Sequence, residues 1–179
     1  MIRIDTDEGS ILLKSIHRSQ INTIIDIYNC TEDICYATGI RGSVTHTELA
    51  GRFGKFGVNK KELIYGIFME DALHIPPQYA EKPLGVFNSV LHNKTVWIKT
   101  LVILPQFRNR GIGRRTVATM LQYTGSYYGI MDVCLSVLEE NTSAIRFWDR
   151  QGFTELKRFN KILFEDQQLH KVIIMHKKL

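Results

Sequence analysis

The sequence has few cysteines and no long apolar segment, and each shortage excludes a class of protein. It contains 3 cysteines, Cys30, Cys35 and Cys134, an odd number without the spacing of a metal site or of a CxxC redox pair. We therefore expect reduced thiols and a cytoplasmic location. No apolar run approaches the roughly 18 residues of a transmembrane helix. Acidic residues at positions 5, 7 and 8 exclude a signal peptide.

The chain also lacks internal repeats and any linker rich in Ser, Gly or Pro, so we expect a single domain over residues 1–179. Hydrophobic residues make up 44% and charged residues 23%, which excludes disordered and low-complexity proteins. The net charge of +5 suits an anionic ligand. It is too small by itself to indicate nucleic acid, and we expect neither a nucleic-acid nor a membrane partner.

Hydrophobic periodicity and turn residues divide the chain into strands and helices. Strands are predicted over residues 10–16, 63–69, 84–91, 95–104, 130–138, 153–159 and 169–176. Helices are predicted after Ser19, more weakly over 45–56, from the glycines at 111 and 113 to Gly125, and over 141–151 with Asn141 or Thr142 as N-cap. The prolines at 76 and 77 indicate a loop. This order predicts a mixed α/β fold.

The stretch from Leu101 to Arg115, LVILPQFRNRGIGRR, combines a buried strand, a basic loop and two glycines at the start of a helix. The first N–H groups of a helix have no intrahelical partner and lie at the positive end of its dipole. Gly111 and Gly113 present no side chain that would keep an anion away from them. The positive charge around them comes from Arg108, Arg110, Arg114 and Arg115. These features indicate a phosphate or pyrophosphate site; the alternative is an arginine-rich helix start that binds nothing.

Other phosphate-binding motifs fit this stretch poorly. A P-loop requires Gly-Lys-Ser/Thr, whereas the sequence here is Arg114-Arg115-Thr116. A dinucleotide fingerprint requires a third glycine at Thr116 and a parallel βαβ unit, whereas this turn follows a predicted antiparallel hairpin. A nucleic-acid binder would need stacking aromatic residues or a second basic stripe beside the arginines, and the sequence has neither.

Two segments together resemble the GNAT superfamily of N-acetyltransferases. RNRGIG at residues 108–113 resembles its Arg/Gln-x-x-Gly-x-Gly/Ala signature. VLEENTSAIRFWDRQGF at residues 137–153 resembles its second signature, in which an Asn leads into a short helix that ends at Gly-Phe. The resemblance implies a mostly antiparallel central sheet, flanked by helices, whose fourth and fifth strands (97–104 and 130–138) splay apart. It implies an N-acetyltransferase that moves an acetyl group from acetyl-CoA to a primary amine of a small molecule or protein by direct attack.

The resemblance also implies a binding mode for acetyl-CoA, in the V-shaped cleft between the splayed strands. The backbone of residues 101–103 would pair with the pantetheine arm, and the N–H groups of residues 108–113 would hold the pyrophosphate. Asn141 would hydrogen-bond the arm, Ala144 would leave room for it, and Arg115 and Arg150 are candidates for the 3′-phosphate. The full set of implied cofactor-binding residues is Leu101, Val102, Ile103, Arg108, Asn109, Arg110, Gly111, Ile112, Gly113, Arg114, Asn141, Ala144 and Trp148.

The family's acid and base are missing from their usual positions, so we assign no catalytic residue. Some members have a base Glu on the fourth strand where this chain has Trp97, and many have an acid Tyr on the last helix where it has Trp148. An indole is only an N–H donor and transfers no proton near neutral pH. The two residues either pack or line an aromatic or apolar acceptor pocket. A catalytically silent CoA-binding sensor therefore stays open as the alternative function.

In the family, the first two helices and their loop usually shape the acceptor site, here residues 29–52. The acidic Glu32 and Asp33 within this segment either attract an amine or face water. Homodimers are common in the family, so a homodimer is expected from the resemblance alone. The histidines at 17, 74, 92, 170 and 176 lack the spacing of metal ligands and are expected at the surface or in hairpins, so no metal is expected.

Overall fold

The computed structural model describes residues 1–6, 9–16, 21–29, 43–47, 62–70, 82–162 and 167–179. Its strands are β1 Ile2–Thr6, β2 Gly9–Ser15, β3 Glu62–Met69, β4 Gly85–His92, β5 Thr95–Ile103, β6 Asp132–Leu138, β7 Thr154–Ile162 and β8 Leu169–Lys178. Its helices are α1 Ile21–Tyr28, α2 Ile112–Tyr128 and α3 Thr142–Arg150, with a 3-10 turn at Pro105–Phe107. The helix predicted over 45–56 and the loop around the two prolines lie largely outside the described residues.

The described strands form one sheet in the order β1-β2-β3-β4-β5-β6-β8-β7. Neighbouring strands are antiparallel except β5 and β6, which are parallel because α2 carries the chain back across the sheet. Apolar residues of α2, among them Val117, Met120 and Leu121, are buried in the core. The predicted fold class, a mostly antiparallel mixed sheet flanked by helices, is confirmed. Over the described ranges, no helix combines the length and apolar character needed to cross a membrane.

The parallel pair β5–β6 separates halfway along its length. Pairing with β6 stops at Ile98, although β5 continues to Ile103. On the other side of β5 the register with β4 skips Lys99: Ser89 pairs with Ile98, and Asn88 pairs with Thr100. A β-bulge bends its strand and increases the local twist. The bulge directly after the last β5–β6 pair therefore accounts for the splay. Because β1 was not among the predicted strands, each observed strand number is one higher than the predicted number. The strands predicted as fourth and fifth are therefore β5 and β6.

The structure differs from the sequence-based expectations at three places. Gly125 does not end α2, which continues to Tyr128 and is capped by Gly129 in the left-handed region, at φ 63°. β1 was not predicted, because its five residues form a strand only by pairing with β2. His170, predicted at the surface or in a hairpin, lies in the β7–β8 hairpin but is only 6% exposed, and its Nδ1 lies 2.7 Å from Oε1 of Glu140. The end of α2 depended on a choice between two glycines. The other two differences depend on contacts between segments that are separate in sequence.

Candidate functional site

A cleft opens where β5 and β6 separate. Its walls come from β5, β6 and α3, and the lining residues are Ile98, Lys99, Thr100, Leu101, Leu135, Ser136, Val137, Asn141, Ala144 and Trp148. The space, with the open solvent at its mouth included, is about 390 Å³. Beyond Ile98, β5 has no strand partner on the side of β6. An extended ligand can therefore pair with this edge as an added strand would.

The loop between β5 and α2 forms a cradle of backbone N–H groups. The amides of residues 109–114 have no backbone partner among the described residues, whereas the Arg108 amide donates to the Pro105 carbonyl at 3.1 Å and the Arg115 amide to the Gly111 carbonyl at 3.0 Å. Left-handed conformations at Asn109 (φ 62°) and Gly111 (φ 74°) turn the chain sharply here. Such turns are typical of anion-binding concavities. The amides available to a ligand are therefore those of residues 109–114, one residue further along the chain than the predicted 108–113.

Glycine stands at positions 111 and 113 of this loop for two different physical reasons. Gly111 has φ 74°, which side chains rarely allow, so the backbone itself requires glycine. Gly113 is helical, and a Cβ there would lie 3.5 Å from the Phe147 ring and 3.8 Å from Cδ2 of Leu101, both ordinary contacts. Glycine weakens a helix by about 0.5–1 kcal/mol relative to alanine. The protein's own packing therefore does not explain Gly113, whereas the close approach of a ligand would.

The arginines around the cradle divide into structural and solvent-facing groups. Arg108 turns inward, and its Nε donates to the Ile103 carbonyl at 2.9 Å, which fixes the loop against the end of β5. Arg115 donates from Nη1 to the Asp5 carbonyl in β1 at 3.2 Å. Arg114 is exposed beside the free amides. The exposed Arg150 donates from Nε to the Arg146 carbonyl at 3.0 Å, at the far end of α3. A role of Arg115 or Arg150 at a 3′-phosphate stays a prediction.

Asn141 caps α3 with one half of its amide. Its Oδ1 accepts hydrogen bonds from the Ala144 amide at 3.1 Å and from Oγ of Ser143 at 3.0 Å. Of the two predicted N-caps, Asn141 is the one observed. Because the amide N–H of Ala144 can only donate, the capping atom must be the oxygen. The Nδ2 group, with its two N–H donors, is the half of Asn141 that remains for a ligand in the cleft.

The two tryptophans occupy different environments. Trp148 is 7% exposed and packs edge-on between Phe147 and Phe153, with ring centroids 4.9 and 5.2 Å away. This favours the packing interpretation, although the residue also lines the cleft. Trp97 is 36% exposed on β5 and does not line it. Neither position supplies an ionisable side chain.

Cys134 lies beside the cleft, on β6 opposite Trp97. Burial raises the pKa of its thiol, and the charge of Asp132 raises it further. The thiol is therefore protonated at neutral pH and is a poor nucleophile. In the part of the chain that the structure describes, no group of three or more His, Cys, Asp or Glu is arranged to hold a metal ion.

Known proteins resemble this chain in sequence and in fold. A sequence model of the acetyltransferase (GNAT) family matches residues 61–153, from the start of β3 to the end of α3. The spermine/spermidine N(1)-acetyltransferase of Bacillus subtilis is 24% identical over 151 residues, which are 83% of this chain and 82% of that protein. The spermidine N-acetyltransferase of Vibrio cholerae, crystallised with CoA and spermine, has a TM-score of 0.74 at 16% identity, covering 94% of this chain and 95% of its own. Arabidopsis thaliana NAA60, solved with a bisubstrate analogue, has a TM-score of 0.74 at 17% identity, covering 94% and 97%. The residues that match the family model include all those that line the cleft and form the amide cradle.

Proposed function

We propose that this chain, which belongs to the GNAT family of acetyltransferases, acetylates a primary amino group of a linear polyamine such as spermidine or spermine. The enzyme class follows from the family: the protein is an N-acetyltransferase with acetyl-CoA as co-substrate. The polyamine acceptor rests on one observation, the similarity to the Bacillus subtilis spermine/spermidine enzyme along more than four-fifths of both chains. The Vibrio cholerae spermidine enzyme adds the shared fold.

The residues of the cleft fit acetyl-CoA, which supplies an activated thioester. The open edge of β5 at Leu101, Val102 and Ile103 would pair with the pantetheine arm. The free amides of residues 109–114 would hold the pyrophosphate, since a helix start with unpaired N–H groups favours anions. A β5 amide near Ile103 would stabilise the negative charge that develops on the thioester oxygen.

The buried Trp148 is compatible with this reaction although it carries no acid. The leaving group is an alkyl thiolate, whose conjugate thiol titrates near the cysteine reference of about 8.5. A thiolate of that basicity can depart and take its proton from water. The acceptor amine, by contrast, must lose a proton before its nitrogen attacks the carbonyl carbon. The protein's main task in proton transfer is therefore at the amine.

A polycationic acceptor must be recognised locally, because the chain as a whole carries a net charge of +5. Long-range attraction does not favour a polyamine here, so carboxylates close to the reacting amine have to provide it. Glu32 and Asp33, the acidic pair of the predicted acceptor segment, lie outside the described residues, and their role stays a prediction.

The acceptor is tested with a panel of amines that share a primary amino group. We expect kcat/KM for spermidine and spermine to exceed that for n-butylamine at least tenfold, because the additional ammonium groups add charge-assisted contacts. Thiol release from acetyl-CoA gives the rate, and mass spectrometry gives the acetylated product. Equal kcat/KM for n-butylamine and spermidine, or acetylation of a peptide N-terminus alone, would contradict the polyamine proposal.

The two halves of the Asn141 amide can be separated by mutation. Asn141→Asp keeps an oxygen that caps α3 and adds a negative charge at the helix start, so we expect unchanged or slightly higher stability. It removes the Nδ2 donor, so affinity for CoA should fall about three- to tenfold, the value of one hydrogen bond. Asn141→Ala, as the control, should lose the same affinity and also about 1 kcal/mol of stability. Calorimetry and urea denaturation measure the two effects. Wild-type affinity in Asn141→Asp would remove Asn141 from the cofactor site.

A further inference from the structure

Among the described residues that line the cleft, none carries a carboxylate or an imidazole. One carboxylate lies just behind this lining. The Glu62 side chain, at the start of β3, is only 7% exposed, and its Oε1 lies 3.6 Å from Nζ of Lys99, which does line the cleft. Carboxylates are rarely buried without a partner, because desolvation of the charge is costly.

The surroundings of Glu62 leave hydrogen-bonding capacity unused. Oε1 of Glu62 and Oδ1 of Asn88 are both buried, and neither has a hydrogen-bond partner among the described residues. At 3.6 Å, the contact with Lys99 is an ion pair rather than a hydrogen bond, since charge-assisted hydrogen bonds are about 2.7–2.9 Å long. Two buried acceptors beside a cleft therefore lack a donor. A primary ammonium carries three N–H donors and one positive charge, and it suits both atoms.

The register of the sheet places these groups together on one face. Glu62 pairs with Val90, which pairs with Trp97, and Ile64 pairs with Asn88. Residues that pair across strands share a face of the sheet, as do residues two apart along a strand. Glu62, Asn88 and Trp97 thus lie on the same face. The Lys99 ammonium, 3.6 Å from Oε1 of Glu62, links these groups to the cleft wall.

We propose that Glu62 binds the reacting ammonium of the acceptor and takes its proton. This inference rests on the proposed function, because it names the group that receives the substrate amine. One proton passes from the acceptor nitrogen to a Glu62 carboxylate oxygen. The neutral nitrogen then forms a bond to the thioester carbonyl carbon, and the carbon–sulfur bond breaks. The second proton lost by that nitrogen goes to water, the CoA thiolate takes a proton from water, and Glu62 returns its own proton to water.

The electrostatic environment suits a base that works near neutral pH. Burial raises the pKa of the Glu62 carboxyl, while the charge of Lys99 and the neighbouring polar Asn88 side chain lower that pKa by smaller amounts. From the described parts of β4 and β5, these are the charged and polar groups that act on it. A carboxyl whose pKa moves toward the working pH is a more effective proton acceptor. Loss of the Lys99 charge should raise this pKa further.

The test is the pH dependence of kcat/KM for the amine that the wild type acetylates fastest. For Glu62→Gln we expect kcat to fall at least 100-fold, within the usual effect of a positioned base. The rise of activity with pH should move to the alkaline ionisation of the amine itself. For Lys99→Met the acid limb should move to higher pH, because the positive charge no longer favours the ionised carboxylate. Affinity for CoA in Glu62→Gln should stay within twofold of wild type.

Glu70→Gln is the matched control, an exposed glutamate immediately after β3 that should keep wild-type rates. A Glu62→Gln protein with kcat within threefold of wild type would overturn the proposal, as would an equal loss at every pH with an unmoved acid limb. If Glu62→Gln does not fold, an unmoved limb in Lys99→Met overturns it. Turnover of another amine but no polyamine refutes only the polyamine acceptor, and Glu62 is then tested on that amine. A wild type that acetylates no amine overturns both.

Discussion

Gly113→Val is expected to weaken acetyl-CoA binding more than tenfold, about 1.4 kcal/mol, in a protein that stays folded. The helix already has room for a Cβ at this position, at 3.5 Å from the Phe147 ring and 3.8 Å from Leu101. The two further methyl groups of valine add bulk at the helix start, beside the free amides of residues 109–114. There they would displace the pyrophosphate. Calorimetry with acetyl-CoA measures the loss.

Two controls separate this effect from the cost of valine in a helix. Gly113→Ala should raise stability by up to about 1 kcal/mol, because alanine favours helix over glycine and the added carbon makes ordinary contacts. It should bind acetyl-CoA nearly as well as wild type. Ala118→Val places a valine on an exposed position of α2 away from the loop. It therefore measures the destabilisation that valine causes in the helix alone. Wild-type affinity in folded Gly113→Val would mean that the pyrophosphate does not lie on these amides.

Gly85→Ala should destabilise the protein by about 3 kcal/mol, at the upper end of the usual cost of overpacking. A Cβ at Gly85 would lie 2.2 Å from the Val102 carbonyl oxygen and 2.8 Å from Cδ1 of Ile103. The nearest atom belongs to the backbone of β5, so relief requires β4 and β5 to move apart. That displacement would reach the edge proposed to pair with pantetheine, and CoA affinity should fall together with stability.

Gly66→Ala is the matched comparison, a second buried strand glycine. Its Cβ would meet Cε2 of Phe68 at 2.7 Å and Cδ1 of Ile16 at 3.1 Å, both at the far ends of flexible side chains. We expect a cost of about 1 kcal/mol, because these side chains can rotate away. Urea denaturation of both variants gives the difference. Equal losses would show that β5 adjusts freely beside Gly85.

Local signals in the sequence indicated the cradle to within one residue and restricted the N-cap of α3 to Asn141 or Thr142. The glycines and arginines of residues 108–115 lie close together in sequence, and the anion site that they indicate depends on few residues outside this stretch. The same holds for Asn141, which caps the helix that it immediately precedes. Gly125 misled the prediction because a glycine inside a helix and a glycine that ends one look alike in sequence. Only the left-handed φ of Gly129 distinguishes them.

The features that sequence reasoning missed all depend on pairing between distant segments. The bulge at Lys99 exists only in the register of β4 against β5, and it determines where the cleft opens. The inward turn of Arg108 toward the Ile103 carbonyl requires the loop to fold back on its strand. Glu62 is 37 residues from Lys99 in sequence, and an isolated glutamate at the start of a strand carries no signal of burial. Its position beside the cleft appears only once three strands are aligned.

The central claim, that acetyl-CoA binds between β5 and β6 with its pyrophosphate on the loop before α2, is tested most directly by amide hydrogen exchange with and without saturating CoA. We expect slower exchange in peptides that cover residues 99–103 and 109–114, because the unpaired N–H groups in these segments gain partners. The exposed strand β7 should serve as the internal reference and stay unchanged. Saturated binding with protection confined to other segments, or with none at residues 109–114, would contradict the account.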